Sequence, residues 1–291
     1  MTHYLSVLIA LGLLVLARPS DPPARAFASY DLDHPDAVYE LPGVLREISG
    51  LTVLDDTHLG AVQDEKGRLF VINVETGEVV RETRFGKDGD YEGIELTPDG
   101  LFILESNGTL WRIDDWQRDD PDAEKIKTDL SSRYDTEGLA FDAVHNRLLI
   151  ACKEYPGRGL KGRKTIYAYD LTQQKLIEEP AFIITPDAVT HLDRHPLNRA
   201  LRGALTPLVD ASGFKPSALA INPTNGLMYV VSSVLKSIVV LEPDGSVRAA
   251  VAIPESSFNQ PEGIAFMPDG TLYLSNEGGA GPATLLRFRP R

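Results

Sequence analysis

At 291 residues and 43% hydrophobic content, the chain is long enough to bury a large core as one all-β domain. A formal net charge of −13 excludes a nucleic-acid partner, since nothing here could neutralise a phosphate backbone, and it suits cation binding and solubility instead. The single cysteine, Cys152, excludes an intramolecular disulfide and, inside the apolar run 148–152, reads as a small buried hydrophobe.

The chain opens with a 14-residue apolar run, residues 4–17, followed by Arg18, Pro19 and Ser20. That is short for a membrane span and the right length for a signal-peptide core. Ala24-Arg25-Ala26 offers a small-x-small cleavage site before Phe27, although Met1-Thr2-His3 brings little positive charge to the start. Residues 1–26 are read as a signal peptide or, alternatively, an uncleaved membrane anchor. The expected location is periplasmic or otherwise exported, with any membrane contact made through this segment. Beyond it no apolar run is long enough to span a bilayer.

Residues 27–291 read as one repeat-built domain. Tyr91-Glu92-Gly93-Ile94, Thr136-Glu137-Gly138-Leu139 and Pro261-Glu262-Gly263-Ile264 are near copies; Ile48-Ser49-Gly50-Leu51 and Pro216-Ser217-Ala218-Leu219 keep the apolar frame with Ser in place of Glu. The aligned positions Ser49, Glu92, Glu137, Ser217 and Glu262 are 43, 45, 80 and 45 residues apart. A period of roughly 40 to 50 residues built from short strands is that of a propeller blade. Each unit continues through a turn such as Pro98-Asp99-Gly100 or Pro268-Asp269-Gly270 into an apolar strand, then an alternating third strand, then a turn and a fourth. This predicts an all-β, five-bladed propeller with first strands near residues 49, 92, 137, 217 and 262. The last unit supplies three strands, and the lone strand 37–41 is expected to complete it, closing the ring without an open edge. Six blades, with one hidden in 184–213, is the competing count; that stretch lacks alternation and a blade turn, and reads better as a partly helical insertion.

In a blade the first strand lines the central channel and the second returns to the same face, so residues opening the first and closing the second meet at one mouth. The second column is read as Glu65, Asn107, Glu154, Ser233 and Glu277, and Glu47, Asp90 and Asp135 lie just upstream of the first. Clustered carboxylates cannot all stay ionised unless a cation joins them or protons do. The candidate metal set is Glu92, Glu137, Glu262, Glu65, Glu154, Glu277, Glu47 and Asp135, and the all-oxygen chemistry points to Ca²⁺ rather than zinc. The alternative is that these glutamates are structural, bonded to backbone N–H groups of neighbouring blades. Blade four departs, with Lys215, Ser217 and Ser233, and the insertion 184–213 enters directly before it as a candidate lid or partner surface. A cationic loop, 154–164, stands beside the mouth and could hold the phosphate or carboxylate of a small anionic ligand, or simply be solvated. His191 and His195 are spaced i,i+4 without a third ligand, and neither a G-x-S-x-G elbow nor a phosphate loop occurs.

The segments Glu47-Ile48-Ser49-Gly50-Leu51, Gln63-Asp64-Glu65, Asp90-Tyr91-Glu92-Gly93-Ile94, Thr136-Glu137-Gly138-Leu139-Ala140-Phe141-Asp142, Lys153-Glu154-Tyr155-Pro156 and Gln260-Pro261-Glu262-Gly263-Ile264-Ala265 together resemble the SdiA-regulated family of exported propellers. The resemblance runs from about residue 37 to the C-terminus and implies a five-bladed propeller with a calcium site and no established reaction. It weakens at blade four, where Lys215-Pro216-Ser217-Ala218-Leu219 and Ser233-Val234 lack the family's acids. More distantly the chain is similar to gluconolactonase-type and phytase-like propellers, in which a central Ca²⁺ takes part in hydrolysis. Two functions follow as expectations: a calcium-binding scaffold or binding module at the cell envelope, engaging a small anionic ligand or an envelope protein, or a calcium-dependent hydrolase of lactones or phosphoesters.

Overall fold

The computed structural model describes residues 29–185 and 213–291. The expected leader, His191 and His195, and the insertion from 186 to 212 lie outside the described residues. A short strand β1 (Ala37–Glu40) comes first. Blade one follows as β2 (Ile48–Asp55), β3 (His58–Gln63), β4 (Arg68–Asn73) and β5 (Val79–Arg84), and blade two as β6 (Tyr91–Thr97), β7 (Gly100–Glu105), β8 (Leu110–Ile113) and β9 (Ala123–Ile126). Blade three has β10 (Thr136–Asp142), β11 (Arg147–Cys152) and β12 (Lys164–Asp170), with an outer edge split into β13 (Lys175–Leu176) and β14 (Phe182–Ile184), both paired to β12. Blade four is β15 (Ala218–Ile221), β16 (Met228–Ser232), β17 (Ser237–Leu241) and β18 (Val247–Ala252). Blade five is β19 (Pro261–Phe266), β20 (Leu272–Asn276) and β21 (Thr284–Phe288), completed by β1.

That last pairing runs antiparallel from Ala37 opposite Arg287 to Glu40 opposite Thr284, so the two ends of the chain close the ring as expected. Tyr30 reinforces the closure: its hydroxyl donates to the Gly270 carbonyl at 2.7 Å and accepts from Asn222 Nδ2 at 2.9 Å. The inner strands pack in the order β2, β6, β10, β15, β19 and back to β2. Because β10 and β15 touch directly, the ring has no place for a sixth blade, and the competing count is overturned.

The propeller is held together at its seams. Each of the five apolar clusters joins one blade to the next, and the middle strands feed two seams at once. On β11, Leu148, Ile150 and Cys152 face blade two while Leu149 and Ala151 face blade four. This two-sided burial is why those strands are continuous apolar runs rather than alternating ones. Cys152 is 1% exposed, and burial pushes its thiol up to about 12, which leaves it a packing residue.

The repeated Glu-Gly motif has two jobs at the seam. Four of the five inner strands carry a register irregularity at the motif, between Ile48 and Gly50, Tyr91 and Gly93, Thr136 and Gly138, and Pro261 and Gly263. The residue skipped by the ladder is Ser49, Glu92, Glu137 or Glu262. A bulge re-aims such a side chain out of the sheet's pairing pattern. The following glycine allows close approach of the next blade: a Cβ at Gly93 would sit 2.8 Å from the Leu139 Cβ, and one at Gly138 would sit 2.9 Å from the Leu219 backbone nitrogen. Ala218 occupies the glycine position in blade four, where β15 begins without such an irregularity.

Candidate functional site

The register fixes the second column. Gly50, Gly93, Gly138, Ala218 and Gly263 pair with Val62, Leu104, Ala151, Val231 and Ser275. Two residues further on stand Asp64, Ser106, Lys153, Ser233 and Glu277. Four of these make the same backbone bond, their N–H groups donating to the carbonyls of Glu47, Asp90, Asp135 and Gln260 at 3.2, 2.9, 2.8 and 2.9 Å. The sequence column is therefore one residue late in blades one to three and in register in blades four and five. Glu65, Asn107 and Glu154 stand exposed just past the true position, and Glu154 is engaged by Lys215 of blade four, which holds its carboxyl below the usual range.

The bulges of blades two, three and five bring Glu92, Glu137 and Glu262 to the mouth. Glu137 is 4% exposed and Glu262 7%, while Glu92, Glu47, Asp135 and Glu277 are half-buried. Asp135 adopts a left-handed backbone, φ +53°, a region Asp tolerates better than most residues. Asp64 presents Oδ1 as a buried oxygen with no hydrogen-bond partner. Gln260 Nε2 donates to Glu277 Oε2 at 2.5 Å, and Ser106 Oγ donates to Asp90.

Lys153, unassigned by the sequence reading, is the cation inside this group; its ammonium donates to Glu137 Oε1. Neighbouring cations are directed elsewhere, with Lys215 on Glu154, Lys236 on the Asn259 carbonyl and Lys164 on the Lys153 carbonyl. The described histidines, His34, His58 and His145, bond to Asp31, Asp55 and Asp142 and take no part.

Serine in the first column does something else. Ser49 Oγ donates to the Tyr91 carbonyl at 2.6 Å, and Ser217 Oγ to the Pro261 carbonyl at 2.9 Å. Each clasps the peptide preceding the glutamate of the next blade and so fixes Glu92 and Glu262. Thr136 Oγ1 likewise donates to the Glu105 carbonyl at 2.9 Å. Glu105 itself is structural, accepting from Trp111 Nε1 at 2.7 Å and Asn107 Nδ2 at 2.8 Å.

Burial and mutual repulsion raise the acids together. Glu92 is raised by burial first and then by the charges of Glu137 and Asp90. Burial raises Glu137 as well, with Lys153 pulling it back. Glu262 is pushed up to about 7 by burial and Glu277. Glu277 is pushed up to about 7 by burial, Asp64 and Glu47, and Asp64 to about 6 by burial, Glu47 and Glu65. Burial also raises Asp135. On Lys153 burial acts to lower the ammonium, but Glu137, with Asp135 and Glu262 behind it, outweighs burial and raises it. The groups that perturb one another span blades one, two, three and five, so they form one electrostatic unit.

The donor set is all oxygen, includes the orphaned Asp64 Oδ1 and carries more negative charge than Lys153 offsets, so in kind it fits a hard cation. Among the described residues no three Asp, Glu, His or Cys side chains converge closely enough to grip an ion as they stand. An ion would have to gather them by side-chain rotation.

The architecture is shared widely. The glutaminyl cyclase of Myxococcus xanthus superposes with a TM-score of 0.58 at 14% identity, over 89% of this chain and 97% of that one. The PQQ-bound aldose sugar dehydrogenase of Streptomyces coelicolor superposes at 0.50 with 14% identity, over 89% and 100% of the two chains. A luciferin-regenerating enzyme does so at 0.50 with 13% identity, over 88% and 95%. At such identities the likeness is one of fold. No curated protein matches the sequence. The family model described as SdiA-regulated matches residues 27–288, which takes in every blade and both carboxylate columns, and the chain belongs to the SdiA-regulated family.

Proposed function

We propose that the channel mouth is a cation-binding centre, taking a hard divalent ion such as Ca²⁺, in an exported propeller that serves as a binding or scaffold module at the cell envelope. One observation carries the reading: acids from four blades perturb one another at one mouth around the Lys153 ammonium, leaving Asp64 Oδ1 buried without a hydrogen-bond partner among the described residues. Glu92, Glu137 and Glu262 would hold the ion, with Glu277 and Asp64 beside them. Bound there, the ion neutralises carboxylates that otherwise repel, and it ties together inner strands of blades otherwise joined by loops and apolar seams. Lys153 would then serve Glu137 as a resident counter-charge, lowering the demand on the ion.

A hydrolytic reading has one observation in its favour, that Glu262 and Glu277 are poised near 7, where a general base works. The scaffold reading is preferred because the described histidines lie away from the mouth and each is bonded to its own aspartate. Thermal melting with Ca²⁺ against EDTA tests the proposal. An ion at a hundredfold excess over its Kd stabilises by about 2.7 kcal/mol, a melting rise of several degrees for a domain of this size. An unchanged melting temperature, or an equal rise in a Glu92→Gln, Glu137→Gln, Glu262→Gln variant, would exclude the site.

A further inference from the structure

Beside the acidic mouth but separate from it, the loop 154–164 joins β11 to β12 over a cleft of about 460 Å³. Arg133, Tyr155, Arg158, Lys161 and Arg163 line it. We propose that this cleft binds a small organic anion through its phosphate or carboxylate groups.

The first support is charge. In a chain of net charge −13, Arg133, Arg158, Lys161 and Arg163 gather around one concavity, and none of them has a carboxylate at ion-pair distance among the described residues. Glu154, the one acid among the residues that line the cleft, is committed to Lys215. Like charges brought together without partners repel one another, and a bound anion removes that repulsion.

The second support is construction. The Arg133 guanidinium lies 3.6 Å from the centre of the Tyr155 ring, which fixes the orientation of a planar, five-donor group. Tyr155 is held edge-on by Tyr134 at 5.1 Å, Tyr134 packs on Tyr167 at 5.6 Å, and Tyr167 Oη donates to the Pro156 carbonyl at 3.1 Å. One wall of the cleft is thus preorganised, which lowers the entropy lost on binding. The loop itself is shaped: Gly159 and Gly162 have φ of +78° and +81°, yet a Cβ at either would meet nothing within 4 Å. Glycine is there for the turn of the backbone and not for packing. Successive N–H groups in such turns form concavities that suit anions.

The third support is scale. The volume lies within the span of small-molecule pockets, whereas the acidic mouth alongside and the net charge disfavour an extended polyanion. Lys164, at the far end of the loop, is buried and donates to the Lys153 carbonyl, which ties the two ends of the loop together.

Calorimetric titration of the full chain with glucose 6-phosphate, and separately with citrate, tests the proposal. Saturable binding of either probe is expected, weakening as salt rises and falling about tenfold or more in Arg158→Ser/Arg163→Ser, each arginine contributing at least one charge-assisted bond. Binding of glucose 6-phosphate alone identifies phosphate as the recognised group; binding of citrate alone identifies carboxylate. Arg133→Lys, which keeps the charge and loses the stacked fork, should weaken the same probe without changing the melting temperature. No saturable binding of either probe, or equal affinity in the double variant, would overturn the assignment. Both results should be independent of Ca²⁺, so titrations of protein stripped of metal on a chelating resin, with no chelator left in solution, separate this cleft from the mouth.

Discussion

Glu262→Gln should stabilise the metal-free protein in mildly alkaline solution and leave it almost unchanged in acid. Glu262 is 7% exposed, and its folded pKa stands at about 7 against an ordinary 4.5, raised by burial and Glu277 against the pull of Lys153, Ser233 and Gln260. The folded state therefore binds this proton more tightly than the unfolded chain does. Its contribution to stability is fully present below pH 4.5 and is lost as the pH rises from 4.5 to about 7. At pH 8 the shift corresponds to about 3 kcal/mol. Glutamine keeps the shape, and it can still bond Ser233 and Gln260, but it never ionises. Urea denaturation in EDTA across this range should show the variant ahead by up to about 3 kcal/mol at pH 8, shrinking towards zero near pH 4. Added Ca²⁺ should reverse the order, since the wild type alone keeps all its charged donors. A variant less stable than wild type at pH 8 in EDTA would refute the reasoning, because ionised Glu262 would then be a stabilising partner of Lys153.

Lys153→Met should be severe, because it leaves Glu137 buried beside other acids without its ammonium; a loss of about 3–5 kcal/mol at pH 8, smaller at pH 5 where the acids take up protons, is expected from denaturation. Gly138→Ala forces a Cβ to within 2.9 Å of the Leu219 backbone nitrogen and should cost about 1–3 kcal/mol, read as a melting temperature several degrees lower. A Gly138→Ala variant as stable as wild type would show that the seam between blades three and four can yield.

The blades are legible in the sequence because two-sided burial makes their middle strands continuous apolar runs, 148–152 among them, and because Asp-Gly turns separate them. The first carboxylate column is legible for a different reason: bulge and close approach fall on adjacent residues, so Glu92-Gly93, Glu137-Gly138 and Glu262-Gly263 keep one spelling. The second column has no such marker. The hairpin between the columns varies in length, spanning 14 residues from Glu92 to Ser106, 15 from Glu262 to Glu277 and 16 from Glu137 to Lys153. Reading for acids rather than register selects Glu65 and Glu154, each one residue beyond Asp64 and Lys153. Counting two residues on from each glycine's cross-strand partner would have found Lys153, the group whose charge sets the balance of the site. The serine clasps were also invisible, since the bond of Ser217 to the Pro261 carbonyl crosses a seam and depends on blade order.

Calcium titration calorimetry on the full chain, wild type beside the Glu92→Gln, Glu137→Gln, Glu262→Gln variant, tests the central claim most directly. The wild type should bind a single Ca²⁺ saturably and release protons as it does so, because carboxyls poised near 7 give them up to the ion. The variant should bind none. Absence of binding to the wild type, or binding that survives the triple substitution, would contradict a cation centre at the channel mouth.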